Sequence, residues 1–220
     1  MNLTIDESHL DDFKKAVVLF NKYYDYLVKF SEINKIDPRS GFESSFLEEM
    51  NWYLFKDLPE IKNKTYSIHN KNIYLGLKFD ENDKINVDKK NVDFCIASCS
   101  KIEVNNEYTI EIIKPIICVE VKTHTDATMF GEIKSSSQAI KSGTPTAKTY
   151  VLMGYNCIGK EKIINAKYDT ALTEMFVLRA DKNSKMEYEI FLDYWKEISN
   201  SITNYKNPKN IITPGRLLNQ

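Results

Sequence analysis

The sequence predicts an α/β domain: a pair of helices first, strands and a crossover helix in the middle, and a long helix near the end. Three observations predict it. Apolar residues recur at intervals of three and four near both ends of the chain, the pattern of helices with one buried side. Short runs rich in Val, Ile, Phe and Cys in the middle read as strands. Between 115 and 153 a strand, a helix and a strand follow one another, a crossover unit of the kind that is almost always right-handed. With 220 residues the chain is long enough for one domain with a substantial core.

The first helix is marked by Leu10, Phe13, Val17, Phe20, Tyr24 and Leu27. Asp37-Pro38-Arg39-Ser40-Gly41 breaks it. Phe42, Phe46, Met50 and Tyr53 mark a second helix that ends near Leu58-Pro59. Stretches rich in Asn and Lys at 59–72, 80–91 and 103–109 read as polar loops. Asn91 to Ala97 is a short strand, and the run from Lys114 to Lys122 is a buried one. Thr125 or Asp126 caps a helix that runs to about Ser142, with Met129, Ile133 and Ile140 on its apolar side. Gly143 reads as a left-handed stop, and Pro145 prevents continuation. Ala147 to Met153 is the next strand, ending at Gly154, and Glu174 to Leu178 is another. Met186, Ile190, Phe191, Tyr194, Trp195, Ile198 and Ile202 form the last helical stripe, which either packs in the core or forms a dimer interface. After Tyr205 the tail, with Pro208, Pro214 and Gly215, reads as extended. The expected organisation is a single domain over 1–220, with helices at 1–58, the core at 66–155, and a strand, helix and tail at 156–220.

Charged residues at the end of an apolar strand carry the chemistry. In Lys114-Pro-Ile-Ile-Cys-Val-Glu120-Val121-Lys122, strand alternation turns Ile117, Val119 and Val121 one way and Cys118, Glu120 and Lys122 the other. Glu120 and Lys122 then share a face, about 6.6 Å apart along the strand. Burying charge is costly unless it is paired or used. Two other Glu-x-Lys pairs lie elsewhere: Glu60 and Lys62 follow a proline in a polar loop, and Glu132 and Lys134 fall in a helix, where residues two apart do not face each other. A surface ion pair at a sheet edge is the structural alternative for 120–122. Asp93 adds to the case, because an Asp is a poor strand former and here interrupts an apolar run. If the two strands pair, Asp93, Glu120 and Lys122 converge. Two carboxylates and an amine suit phosphodiester hydrolysis with Mg²⁺: the hard ion takes oxygen ligands, and the lysine orients water or offsets developing negative charge.

With Asp93, a variable gap, and then Glu120-Val121-Lys122 at a strand end, the chain resembles the PD-(D/E)XK nuclease superfamily. Asn91-Val92 stands where that family often carries a proline before the Asp. The resemblance implies a restriction-endonuclease-like αβββαβ core, a central mixed sheet flanked by helices. It implies that Asp93, Glu120 and the carbonyl of Val121 bind Mg²⁺, and that Lys122 positions or activates the attacking water. It also points to Gln138, on the helix where many members carry a Gln near the metal, and to Glu43, an acid on the first core helix. Gln138 has a structural alternative as a solvated helix side chain. Glu43 has one as the partner of Ser40 in a capping box. Glu48 and Glu49 are further candidates for the helix acid. Ile117 to Asp126, Thr128-Met129, the stop from Lys141 to Pro145 and Met175 to Arg179 are similar to one branch of type II restriction endonucleases, whose members cut interrupted sites built on CTNAG. The similarity covers about residues 40–200.

Composition bounds the alternatives. The formal net charge of −1 excludes a globally basic nucleic-acid binder, although Lys84, Lys89, Lys90, Lys141 and Lys148 flank the site and Lys160, Lys162 and Lys167 crowd the loop beyond. Arginine occurs only at 39, 179 and 216, so base reading would fall to other side chains. The four cysteines lack paired metal spacing, and Cys95 and Cys118 read as small core residues. His9, His69 and His124 are too scattered for zinc, and His124 reads as a turn histidine facing solvent or touching phosphate. No stretch approaches the roughly 20 apolar residues of a membrane span, and no secretory signal is evident, which points to the cytoplasm.

The expectation is therefore a Mg²⁺-dependent, sequence-specific endonuclease acting on double-stranded DNA. It would work as a homodimer or with a related second subunit, since two strands need two sites. Two rivals stand beside it: a repair, recombination or anti-phage nuclease of the same fold without strict specificity, and a non-catalytic DNA-binding module.

Overall fold

The computed structural model describes residues 9–37, 41–104, 108–166, 168 and 171–206. One side of the molecule is helical because three amphipathic stretches share a core. Helix α1 (Leu10–Ile33) buries Phe13, Val17 and Phe20, and α2 (Phe42–Phe55) buries Phe46, Met50 and Phe55. Helix α6 (Tyr188–Lys206) adds Phe191, Tyr194 and Ile198, and all meet Ile117, Val119 and Val121 of strand β5 (Tyr108–Thr125). The rings of Phe20 and Phe191 lie 5.6 Å apart, and Phe55 meets Tyr194 edge-on at 5.5 Å. Each such large apolar side chain stabilises the fold by roughly 1.5–3 kcal/mol on burial. The last helical stripe thus packs largely inside the molecule, as the core reading of it expects.

The sheet is mixed and has seven strands. Strand β4 (Phe94–Val104) runs antiparallel to β5 along its whole length, and β1 (Ser67–His69) pairs with β4 at the edge. The start of β5 meets β2 (Ile73–Phe79) in parallel at Ile113, and β2 makes a hairpin with β3 (Ile85–Lys90). The end of β5 pairs in parallel with β6 (Lys148–Asn156), which leads through α5 (Lys160–Ala166) to its parallel neighbour β7 (Glu174–Val177). Helix α4 (Ala127–Gly143) covers the opposite side of the sheet and bridges β5 to β6. Its Phe130 and Ile133 pack on Val151 and Met153, and its Ile140 packs near Cys95 and Cys118.

Several expectations change. The polar segments read as loops contain a short helix α3 (Pro59–Lys62), all of β1 and β3, and the ends of β4 and β5. These edge elements face water, so alternation in them is not written in apolar residues. Residues 105–107, 167 and 207–220, with the tail and Lys167, lie outside the described residues.

Helix α2 begins after Gly41 (φ +76°), with no side-chain cap, and Ser40 of the expected capping box also lies outside the described residues. Helix α4 is capped by Asp126, which accepts the N–H of Thr128 at 2.8 Å and of Met129 at 2.9 Å. Those bonds hold its carboxyl below the ordinary aspartate value.

Gly143 is not a left-handed stop; it is the last residue of α4, and Thr144 is the cap. A Cβ at 143 would lie 1.9 Å from the Leu75 carbonyl oxygen, so glycine is there to let the helix touch β2. Likewise β6 passes through Gly154, where a Cβ would lie 2.3 Å from the Thr123 carbonyl oxygen. The cysteines at 95 and 118 are free and buried, with sulfurs 3.7 Å apart.

Candidate active site

Strand β5 displays Glu120 and Lys122 on its α4 side because its alternate positions, Val119 and Val121, are committed to the α1–α2–α6 core. Strand β4 starts at Phe94, opposite Val119. Asp93 is therefore not a strand residue as expected: it sits in the bend just before β4. There its carboxylate does what a strand partner would do, and Oδ2 accepts the main-chain N–H of Val121 at 2.7 Å. The bend also breaks the expected alternation, since Val92 packs with Cys95 and Ala97 rather than with Phe94 and Ile96. Within a strand, N–H and C=O of one residue point to the same edge. The carbonyl of Val121 thus faces the same gap as Asp93, past the end of β4.

Lys122 reaches both acids. Its Nζ is 3.6 Å from Asp93 Oδ2 and 3.8 Å from Glu120 Oε2. The side chain of Glu120 is 14% exposed, against 28% for Asp93 and 30% for Lys122. Ser136 of α4 donates its hydroxyl to Glu120 Oε1 at 2.7 Å. Burial pushes the Glu120 carboxyl above its ordinary value. The Ser136 bond opposes that shift, the Asp93 charge adds to it, and Lys122 and Lys90 pull it back. The two carboxylates thus share Lys122 as an ion-pair partner.

On α2, the half-buried Glu48 is near enough to feel the charges of Asp93 and Lys122. Burial, and then the charge of Asp93, raise its carboxyl above the ordinary value, while Lys122 lowers it. Glu43 sits in the first turn of the same helix, half-buried. Five residues advance a helix to a position about 140° away, so Glu43 and Glu48 point to different sides. Gln138 is exposed on α4, and the side chain that meets Glu120 is Ser136, two positions earlier. Ile133 and Ile140 are buried as expected and Phe130 takes the place of Met129; Gln138 lies two residues, about 200° around the helix, from Ser136, so the two face different ways. His124 is still in β5 and is not a turn residue. Its ring stacks on Tyr155 at 5.6 Å, and Tyr155 in turn lies 5.7 Å from the Arg179 guanidinium.

Residues 39–207 match the Bpu10I restriction endonuclease family, a span well over half the chain. The chain belongs to that family. Its fold is similar to that of BbvCI, solved as a native A2B2 tetramer at low resolution. The likeness has a TM-score of 0.75 at 15% identity and covers 94% of this chain and 83% of that one. No curated protein matches by sequence. The mixed sheet flanked by helices is thus a restriction-endonuclease-like fold, now carried by a member of the Bpu10I family.

In this family member the donors around the gap are all oxygens: Asp93, Glu120 and the Val121 carbonyl. Among the described residues no three His, Cys, Asp or Glu side chains converge closely enough to hold an ion unaided. Two carboxylates and a main-chain oxygen fit a hard ion that keeps several waters, which describes Mg²⁺ better than Zn²⁺. Among the described residues no helix is long and apolar enough to cross a membrane.

Proposed function

We propose that this chain is a type II restriction endonuclease of PD-(D/E)XK chemistry, hydrolysing phosphodiester bonds of double-stranded DNA with Mg²⁺. One observation carries the reading: in a Bpu10I family member, Asp93, Glu120 and Lys122 meet at one strand end. Asp93, Glu120 and the Val121 carbonyl would hold the ion. When bound, it would polarise the scissile phosphate and acidify a water. Lys122 orients that water and offsets charge on the phosphate oxygens. The Val121 N–H fixes Asp93, and Ser136 fixes one oxygen of Glu120, so both acids are aimed before substrate arrives. Glu48 adds negative charge near Asp93, in the role that the resemblance gives to an acid on the first core helix. Products with 5′-phosphate and 3′-hydroxyl ends, and a target built on interrupted CTNAG, follow from the sequence resemblance.

One site cuts one strand, so a duplex break calls for two. Assembly as a homodimer or with a related subunit fits that need, and the likeness to BbvCI, a tetramer of two kinds of subunit, supports it. The test is plasmid cleavage with Mg²⁺ by the parent, Asp93→Ala and Lys122→Ala. Discrete fragments from the parent and none from the variants are expected. Full activity in both variants would overturn the mechanism, and a smear from the parent would favour a nuclease without strict specificity.

A further inference from the structure

Between α4 and the end of β3 lies an open trough of about 620 Å³. Lys90 forms one wall, and Thr128, Gly131, Ser135, Ser136 and Ala139 line the helix side. The trough opens onto the site, because Ser136 both lines it and donates to Glu120. Lys90 is near enough to Glu120 for its charge to help keep that carboxylate ionised.

Gly131 is the telling residue. A glycine inside a helix is destabilising relative to alanine. Gly143 of the same helix has a structural reason in the Leu75 carbonyl. Gly131 has none: a Cβ there would find no heavy atom within 4 Å. Glycine without a packing neighbour on the wall of a groove fits close approach by something from outside the chain.

We propose that this trough seats one strand of duplex DNA next to the scissile phosphate, with Lys90 and Thr128 as phosphate partners and Gly131 as the point of closest main-chain approach. The proposal rests on the nuclease reading above. Phosphate contacts of this kind come from lysine and hydroxyl side chains and set register without reading sequence. Glu132, also on the wall, is the one group that opposes a phosphate there.

The test uses the full chain, mixed-sequence plasmid DNA, gel shift in a chelating buffer, and cleavage kinetics in Mg²⁺. Lys90→Ala is expected to raise KM about tenfold and to reduce the slope of log affinity against log salt by about 0.9. Gly131→Trp is expected to lower kcat/KM by about 100-fold or more with an unchanged Tm. Gly131→Ala, which adds only a methyl group at the same point, is expected to lower kcat/KM by a smaller factor than Gly131→Trp, and Glu132→Gln is expected to lower KM. A parent that neither binds nor cuts DNA overturns the nuclease reading and the trough with it. A parent that binds, while Lys90→Ala and Gly131→Trp keep its affinity and salt slope, overturns the trough alone.

Discussion

The Asp93 carboxylate accepts the Val121 main-chain N–H at 2.7 Å, and this single contact fastens the acid to the strand that carries Glu120 and Lys122. Two jobs, holding the bend and supplying charge, fall on one side chain. They can be separated. Asp93→Asn keeps an acceptor for Val121 and loses the charge. Its Tm is expected to match the parent while cleavage falls by about 100-fold or more. Asp93→Ala is expected to lose cleavage and about 1–3 kcal/mol of stability as well, because a part-buried N–H is left without a partner. Chemical unfolding and plasmid cleavage measured side by side check this; equal stability of the two variants would refute the structural half.

Ser136 aims Glu120 from the neighbouring helix. Removing its hydroxyl frees the carboxylate to rotate and takes away a donor that favours its ionised form. Ser136→Ala is expected to cost about tenfold to 100-fold in Mg²⁺ affinity or activity. A Mg²⁺ titration of the cleavage rate reads it directly: the midpoint should move to higher metal concentration.

Glu48 gives a pH signature. Its folded carboxyl lies above the ordinary glutamate value, first through burial and then through Asp93. The folded chain therefore binds this proton more tightly than the unfolded chain, and stability declines as pH rises between the two values. Above the folded value the ionised Glu48 remains a net destabilisation. Glu48→Gln is expected to raise Tm in a chelating buffer at neutral pH, with the gain fading as pH falls through the folded value and gone below about 4. Added Mg²⁺ should narrow the gap by stabilising the parent. A Tm series across pH would decide it, and a variant less stable than the parent at neutral pH would contradict the sign.

Two glycines of α4 should respond in opposite directions. Gly143→Ala places a Cβ 1.9 Å from the Leu75 carbonyl oxygen, so backbone must move, at about 3 kcal/mol or more. Gly131→Ala meets nothing and is expected to gain about 0.4–1 kcal/mol. Denaturant midpoints of the two variants are sufficient to check the contrast.

What was legible followed from local rules. Alternation along β5 gave the shared side of Glu120 and Lys122 because Val119 and Val121 are unmistakably apolar. The nearness of Asp93 was legible too, though not its bend, since nothing in the sequence says that a carboxylate will stand in for a strand. Glu48 and Ser136 were harder for one reason: each depends on how a helix is rotated against the sheet. The fragment Phe42–Phe55 is apolar on several sides, so its own pattern does not choose between Glu43 and Glu48. In α4, Ile133 and Ile140 mark the buried side correctly, but the buried Ser137 beside the site-facing Ser136 gives no apolar signal. Strands β1 and β3 were missed because water-facing edges do not advertise themselves in apolar residues.

The irregular pairing between Ile96–Ala97 and Pro115–Ile117 also constrains how this gene can change. One additional residue is accommodated there, and both Ile116 and Ile117 fall into the same apolar cluster as a result. Downstream of that point the odd and even positions of β5 have fixed and incompatible destinations. Inserting or deleting one codon between Ile117 and Glu120 would send the acid and the amine into the hydrocarbon interior and turn valines outward. A change of two codons would keep their orientation but shift them relative to Asp93. Length variation among functional descendants of this chain should accordingly accumulate in the hairpin tips and avoid this segment.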